Sequence, residues 1–344
     1  MKTKYLCFLV LVALLVPATS NAQKEKKTTR KNANITASTA QKKDNVNLNL
    51  SADELWIKFG DAVENGNKKN AVEYVKAAAK KSHIQASYIM GLAYCRLNSD
   101  PEFKFEIRPM KNDTTKWVSF MFKPIDFGIK QPDYNKAITM LTLCVENGAF
   151  LESCYRHLAS TYVEIGDMDK SYIWAKKGVE AGDYKCMMLY GYNLICGNGC
   201  TADPQQGIKW LKKADELAGD TFSAKLLLLH YDDEGEYAKA AYWAHQYIKK
   251  TKDSEGFFKL GFYYHFGNGV DKDNKKAIEY LRKALELDKE DLATKNLLAI
   301  CYSEEDSQAY KDEAKKLATS VFESSNATEK QKENAKEILD SLNK

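Results

Sequence analysis

The chain is 344 residues long, 44% apolar and 28% charged, with a net charge of +4. The positive charge sits at the start: Lys2 and Lys4, then seven basic against two acidic residues between positions 23 and 50, leave residues 51–344 at −3. A nearly neutral folded part argues against a nucleic-acid-binding surface, and its 294 residues exceed what one compact core usually serves.

Residues 1–22 read as an export signal. Lys2 and Lys4 precede an apolar run from Tyr5 to Val16, and Ser20, Asn21 and Ala22 offer a cleavage site before Gln23. The run falls short of the ~20 residues that a membrane span needs, so no stable membrane insertion is expected after cleavage. Residues 23–50 hold lysine, threonine, asparagine and alanine with almost no large apolar groups, which cannot offset the entropy of ordering. They read as a disordered basic linker.

From 51 to 323 the chain repeats itself. Gly60, Gly91, Ala159, Gly191, Leu228, Gly261 and Ala299 recur at spacings of 31, 68, 32, 37, 33 and 38. A second small position follows each: Ala71, Ala137, Ser171, Gly207, Ala240, Ala277 and Ala314. Small residues let two helices approach closely, so each unit reads as a helix pair, about seven in all. The spacing of 68 comes from an insertion at 97–132. Within it Phe103, Phe105 and Ile107 alternate with charged residues, and Val118, Phe120 and Phe122 alternate again, with Pro109 and Pro124 as bounds. This period of two predicts a β-hairpin, either a binding element or a flap packed on its neighbours. Residues 324–344 read as a capping helix, with a Thr328/Gln331 capping box and one apolar stripe of Ala335, Ile338, Leu339 and Leu342.

Two units carry a Gly-Asn-Gly, at Gly197 to Gly199 and Gly267 to Gly269. A phosphate-binding glycine loop needs a strand before it, yet Phe257, Leu260, Gly261 and Tyr264 form a helical stripe. No Gly-Lys-Ser/Thr follows. Gly197, Gly199, Gly267 and Gly269 therefore read as structural turn residues between paired helices.

The gap from first to second small position is 11 or 12 in three units, as in "LASTYVEIGDMDKSYIWAKKGVEAG", which resembles tetratricopeptide repeats. The gap is 16 in "LGFYYHFGNGVDKDNKKAIEYLRKAL" and "YGYNLICGNGCTADPQQGIKWLKKA". These two resemble Sel1-like repeats, with their leucine-glycine, tyrosine, Gly-x-Gly-Val, aspartate and lysine-alanine; the second copy departs at Tyr190, Cys200 and Gly207. The resemblance implies an all-α fold: a right-handed α-α superhelical solenoid with one curved groove. In tetratricopeptide-like units the first helix lines that groove. By this register the inward candidates are Tyr88, Cys95, Arg156, Ser160, Met188, Tyr192, Lys225, Phe258, Phe262, His265 and Asn296. Aromatics mixed with separated cations suit a protein or peptide partner, while core packing between repeats stays open for each aromatic.

Chemistry is sparse. His83, His157, His230, His245 and His265 show no metal spacing, and no nucleophile motif or Cys-His arrangement emerges. Asp232, Asp233 and Glu234 read as a solvated loop. Seven cysteines follow the signal, an odd count that leaves at least one thiol free or paired between chains. Cys144 ends one second helix and Cys154 begins the next first helix, so a disulfide there would clip neighbouring repeats, much as in the cysteine-rich secreted branch of the Sel1-like family. Cys196 and Cys200 are either a bridge or two small apolar loop anchors. The expectation is an exported, non-enzymatic binding scaffold without cofactors, in a bacterial periplasm or secreted. The alternatives are a cell-wall peptide or β-lactam-binding enzyme of the cysteine-rich Sel1-like type, or a glycan-binding envelope protein.

Overall fold

The computed structural model describes residues 46–95, 105–107, 118–120, 127–219 and 221–343. The predicted export signal, most of the predicted linker and most of the 97–132 insertion lie outside these residues. Among them are fifteen helices: α1 (Ala52–Glu64), α2 (Lys68–Lys80), α3 (Ile84–Tyr94), α4 (Tyr134–Glu146), α5 (Leu151–Glu164), α6 (Met168–Glu180), α7 (Tyr184–Cys196), α8 (Pro204–Ala218), α9 (Thr221–Asp233), α10 (Tyr237–Lys250), α11 (Ser254–Phe266), α12 (Asn274–Leu287), α13 (Leu292–Ser303), α14 (Gln308–Phe322) and α15 (Glu329–Leu342). Two short strands, β1 (Phe105–Ile107) and β2 (Val118–Phe120), pair antiparallel with Phe105 opposite Phe120.

Local chemistry sets the helix starts. Asp133, Asp167, Asp203 and Asp273 open α4, α6, α8 and α12, each accepting from the backbone N–H three residues on. Asp183, Asp253 and Asp291 cap α7, α11 and α13 likewise, accepting from Cys186, from Glu255, and from Ala293 and Thr294. Propensity alone would leave helices of 11 to 15 residues marginal, so packing carries them.

The fold is an all-α solenoid of helix pairs, and the chain divides into two compact units, Met1–Ala202 and Asp203–Lys344. In the first, α1 packs on α2, α3 on α4 and α5 on α6, and α7 packs on α6 and α5. Its core holds Leu55, Trp56, Phe59, Val75, Ile89 and Phe127 in one cluster and Leu92, Leu141, Leu158 and Tyr162 in another. The small positions act where helices cross: a Cβ on Gly91 would meet Leu141 at 2.9 Å, and one on Gly178 would meet Cys186 Sγ at 2.1 Å. Gly60 differs, with nothing within 4 Å of such a Cβ.

In the second unit α8 packs on α9, α9 on α10, α11 on α12 and α13 on α14. A Cβ on Gly261 would lie 2.6 Å from Leu281, so α11 and α12 meet backbone to side chain. Helix α15 packs on α14 and α13, with Ala335 and Ile338 buried and Leu339 and Leu342 packed at the margin of the cluster. Thr328 and Gln331 form a capping box at its start.

The Gly-Asn-Gly turns have two tasks. Gly197 (φ +68°) and Gly267 (φ +73°) end α7 and α11 in the left-handed conformation, their N–H groups bonded to the carbonyls of Asn193 and Tyr263. Gly199 and Gly269 also have positive φ, but space constrains them further. A Cβ on Gly199 would lie 2.3 Å from the Met168 carbonyl oxygen, and one on Gly269 would lie 2.2 Å from the Ala238 nitrogen. Each turn therefore seats directly on the first turn of the preceding second helix, α6 or α10.

Candidate functional site

The predicted groove positions fall on the first helices of the pairs: α3, α5 and α7 in one unit, α9, α11 and α13 in the other. Three of these positions share a feature that spacing did not reveal. Tyr88, Arg156 and Lys225, each three residues before the small position, reach forward to the start of the next first helix.

In the first unit, Tyr88 of α3 bonds Ser153 Oγ at 2.6 Å and stacks on Phe150, ring centroids 4.3 Å apart and planes 13° apart. Arg156 of α5 pairs with Asp183 Oδ2 at 2.9 Å, while the other oxygen of that carboxylate accepts from the Cys186 N–H at 2.8 Å. One buried aspartate thus caps α7 and ties it to α5. Cys95 Sγ and Thr161 Oγ1 lie 3.2 Å apart, a further link from α3 to α5.

In the second unit the ties are ionic. Lys225 of α9 reaches Glu255 at 2.6 Å and Asp253 at 3.7 Å, and Tyr247 donates to Asp253 at 2.5 Å. Burial works against the charge on Lys225, but the two carboxylates outweigh it and raise its pKa. Four residues further along α11, Lys259 bonds Asp232 Oδ2 at 2.6 Å and Tyr263 donates to Asp232 Oδ1 at 2.6 Å. Asp232 is therefore not part of a solvated loop, as its sequence context suggested. It is the acceptor that joins α9 to α11.

These contacts change the meaning of the candidate residues. Arg156 and Lys225 are held in ties between repeats. Tyr192, His265 and Asn296 are buried, at 4%, 4% and 6% exposure, and present no face to a partner. Helical register put them inward, and the neighbouring helix covers that side. Tyr88, Ser160, Met188, Phe258 and Phe262 remain half-buried. Two aromatics missed by the sequence reading are more exposed than these: Phe150 at 37% and Phe266 at 53%. Phe266 continues the spacing of Phe258 and Phe262 by one more turn and was legible on that ground.

The fold also assembles a group that spacing could not show. Cys301 Sγ and Asn274 Oδ1 each lie 3.4 Å from His265 Nδ1, and Asn274 donates to the Cys301 carbonyl at 2.9 Å and to Glu305 at 2.7 Å. The residue types match a cysteine nucleophile with its base, but the environment does not. Cys301 is wholly buried, and burial with Glu304 pushes its thiol up to about 12, so no useful thiolate exists at neutral pH. The cluster joins the end of α11 to the end of α13. Among the described residues no group of three or more His, Cys, Asp or Glu side chains could hold a metal ion.

Cys144 and Cys154 come together in the core of the first unit, both buried and both free thiols. Cys144 donates to the Ile84 carbonyl at 3.5 Å and Cys154 to the Ala149 carbonyl at 3.8 Å, and the neighbouring Cys144 thiol, ahead of burial, raises the Cys154 pKa. Cys196 and Cys200 form no disulfide with each other, and Cys200 donates to the Asn193 carbonyl at 3.5 Å. No helix among the described residues is long and apolar enough to cross a membrane.

Comparison with known proteins places this geometry. The Sel1 repeat family model matches residues 48–83, 152–183, 185–216 and 256–289. The matches include both Gly-Asn-Gly units and extend to α1–α2 and α5–α6. A protective antigen of uropathogenic Escherichia coli strains that displays an SLR fold is similar in structure, with 18% identity, TM-score 0.48, and coverage of 86% of this chain and 72% of that one. A Sel1 repeat protein from Oxalobacter formigenes is also 18% identical, with TM-score 0.48 over 77% of this chain and 99% of its own. A tetratricopeptide repeat protein from Parabacteroides merdae is 15% identical, with TM-score 0.44 over 85% and 99%. No curated protein sequence matches the chain. Proteins of this repeat type generally serve as protein-interaction scaffolds and are typically not enzymes. The chain thus contains Sel1 repeats in these four segments.

Proposed function

We propose that this chain is an exported, non-enzymatic scaffold that binds a protein or peptide along the first-helix faces of its repeats. The observation that carries the proposal is a set of aromatic side chains left incompletely covered there: Tyr88 and Phe150 in the first unit, and Phe258, Phe262 and Phe266 in the second. Aromatic side chains dominate contact energies between proteins, and these lie on or beside the first helices of the pairs. The basic start of the chain, with its apolar run, supports export to a bacterial periplasm or beyond.

Crosslinking in intact cells with the tagged full-length chain, followed by mass spectrometry, tests the binding part. A specific protein captured by the wild type and lost in a Phe266→Ala, Met188→Ala variant supports it; equal captures from both would move the site elsewhere. Export has its own test. Cys144 and Cys154, neighbouring buried thiols, are expected to form a disulfide in an oxidising compartment. Alkylation without reductant of protein taken from cells should then label two fewer thiols than alkylation after reduction.

A further inference from the structure

Phe266 is the last residue of α11, just before the left-handed Gly267, and 53% of it is exposed. Its ring leans on Phe262, centroids 4.7 Å apart, and Phe262 packs at the margin of the core. The matching position of the other Gly-Asn-Gly turn holds the small Cys196, so the turn itself does not need a ring there.

What stands beside the two rings is negative charge. His265 lies between: its ring is 4.5 Å from that of Phe266, and its Nδ1 is 3.8 Å from Glu304 Oε2. Glu304 follows the last residue of α13, and Glu305 and Asp306 continue into the turn before α14. Glu305 accepts from Asn274 at 2.7 Å, while Glu304 and Asp306 are exposed. Among the described residues no lysine or arginine pairs with any of the three. The buried Cys301 behind them feels both glutamates against the single Lys272. A carboxylate at the C-terminal end of a helix also opposes the helix dipole, and the last turn of α13 has no basic residue to offset it. Negative charge is thus held next to an open aromatic pair, where neither the helix nor an ion pair favours it.

We infer that the end of α11 and the turn after α13 form a docking point of the second unit for a basic peptide segment that carries an aromatic side chain. The incoming ring adds to the Phe262–Phe266 pair, and lysines or arginines flanking it meet Glu304 and Asp306. Residues 23–45 of this chain have the basic charge but no aromatic residue, so they match only half of the surface. The inference rests on the scaffold reading above and names the partner chemistry within it.

The test uses the full-length chain and three blocked pentapeptides, Lys-Lys-Trp-Lys-Lys, Lys-Lys-Ala-Lys-Lys and Glu-Glu-Trp-Glu-Glu, followed by NMR of the Phe266 and His265 ring signals. The first should give saturable shifts, bind several-fold more tightly than the other two, and weaken as salt is raised. A Glu304→Gln, Asp306→Asn variant should bind it several-fold more weakly at an unchanged melting temperature, since neither carboxylate holds a lysine or arginine. Absence of a saturable shift, or equal binding of the acidic peptide, overturns the inference. Equal binding of the alanine peptide also overturns it, because charge alone would then suffice and residues 23–45 would serve as well. In cells, a double variant that captures the same protein as the wild type removes this site and leaves the scaffold reading standing, whereas a wild type that captures nothing counts against both.

Discussion

The two units join successive first helices by different chemistry. In the first, Tyr88 uses a hydroxyl and a ring to reach α5, and Arg156 uses a single aspartate that also caps α7. In the second, Lys225 and Lys259 make a two-step ionic ladder between α9 and α11. The difference teaches that the repeat fixes where a side chain must reach and leaves open which side chain does so. Any group long enough to meet the next helix start, and able to satisfy it, will serve.

Acidification should separate the units most. Burial, with Arg156 and Lys185 close by, pushes His157 down to about 3, and burial also lowers His83, which accepts the Ala86 N–H and so must be neutral. The fold binds these protons less readily than the unfolded chain, so this stabilisation is complete above pH ~6.5 and is lost as pH falls from there toward 3. Hydrogen exchange at stepwise lower pH should show the first unit opening before the second. His230 and His245 are lowered in the second unit too, mainly by burial, but without so large a displacement.

Asp183→Ala comes next, with an expected loss of about 3 kcal/mol, because it removes a helix cap and strands the Arg156 guanidinium. Chemical denaturation followed by circular dichroism would measure it, and Arg156→Met in the same background should recover part of the loss. Lys225→Met should cost about 1–2 kcal/mol, since Asp253 keeps Tyr247 and its capping bond. Its cost should shrink in 1 M salt, at which screening is nearly complete within ~3 Å. Tyr88→Phe is the smallest, about 1 kcal/mol and insensitive to salt, because only the hydrogen bond to Ser153 is removed. A salt response as large as that of Lys225→Met would erase the contrast between the two units.

Much of the fold was legible in the sequence because it depends on local patterns. The small residues at helix crossings recur at a regular spacing, while the helix-ending glycines of the turns and the Thr328/Gln331 cap act within a few residues of their partners. The ties were not legible for the opposite reason. Arg156 and Asp183 are 27 residues apart, and His265 and Cys301 are 36 apart, so only stacking of the repeats brings them together. The clue available was indirect: an aspartate just before each of α7 and α11 offers a second carboxylate oxygen, which a side chain on the previous first helix takes. Phe150 was missed because its mark is a left-handed backbone conformation rather than a residue pattern.

The seat of Gly269 on the first turn of α10 has a mechanical consequence. The turn after α11 rests on the backbone of a helix that precedes it, so α12 cannot peel away from α11 without disturbing the contact with α10. A molecule pulled from its C-terminal end should therefore yield α15, then α13 with α14, and then release α10, α11 and α12 as one longer step. The second glycine of each turn sets the length of chain that must let go together.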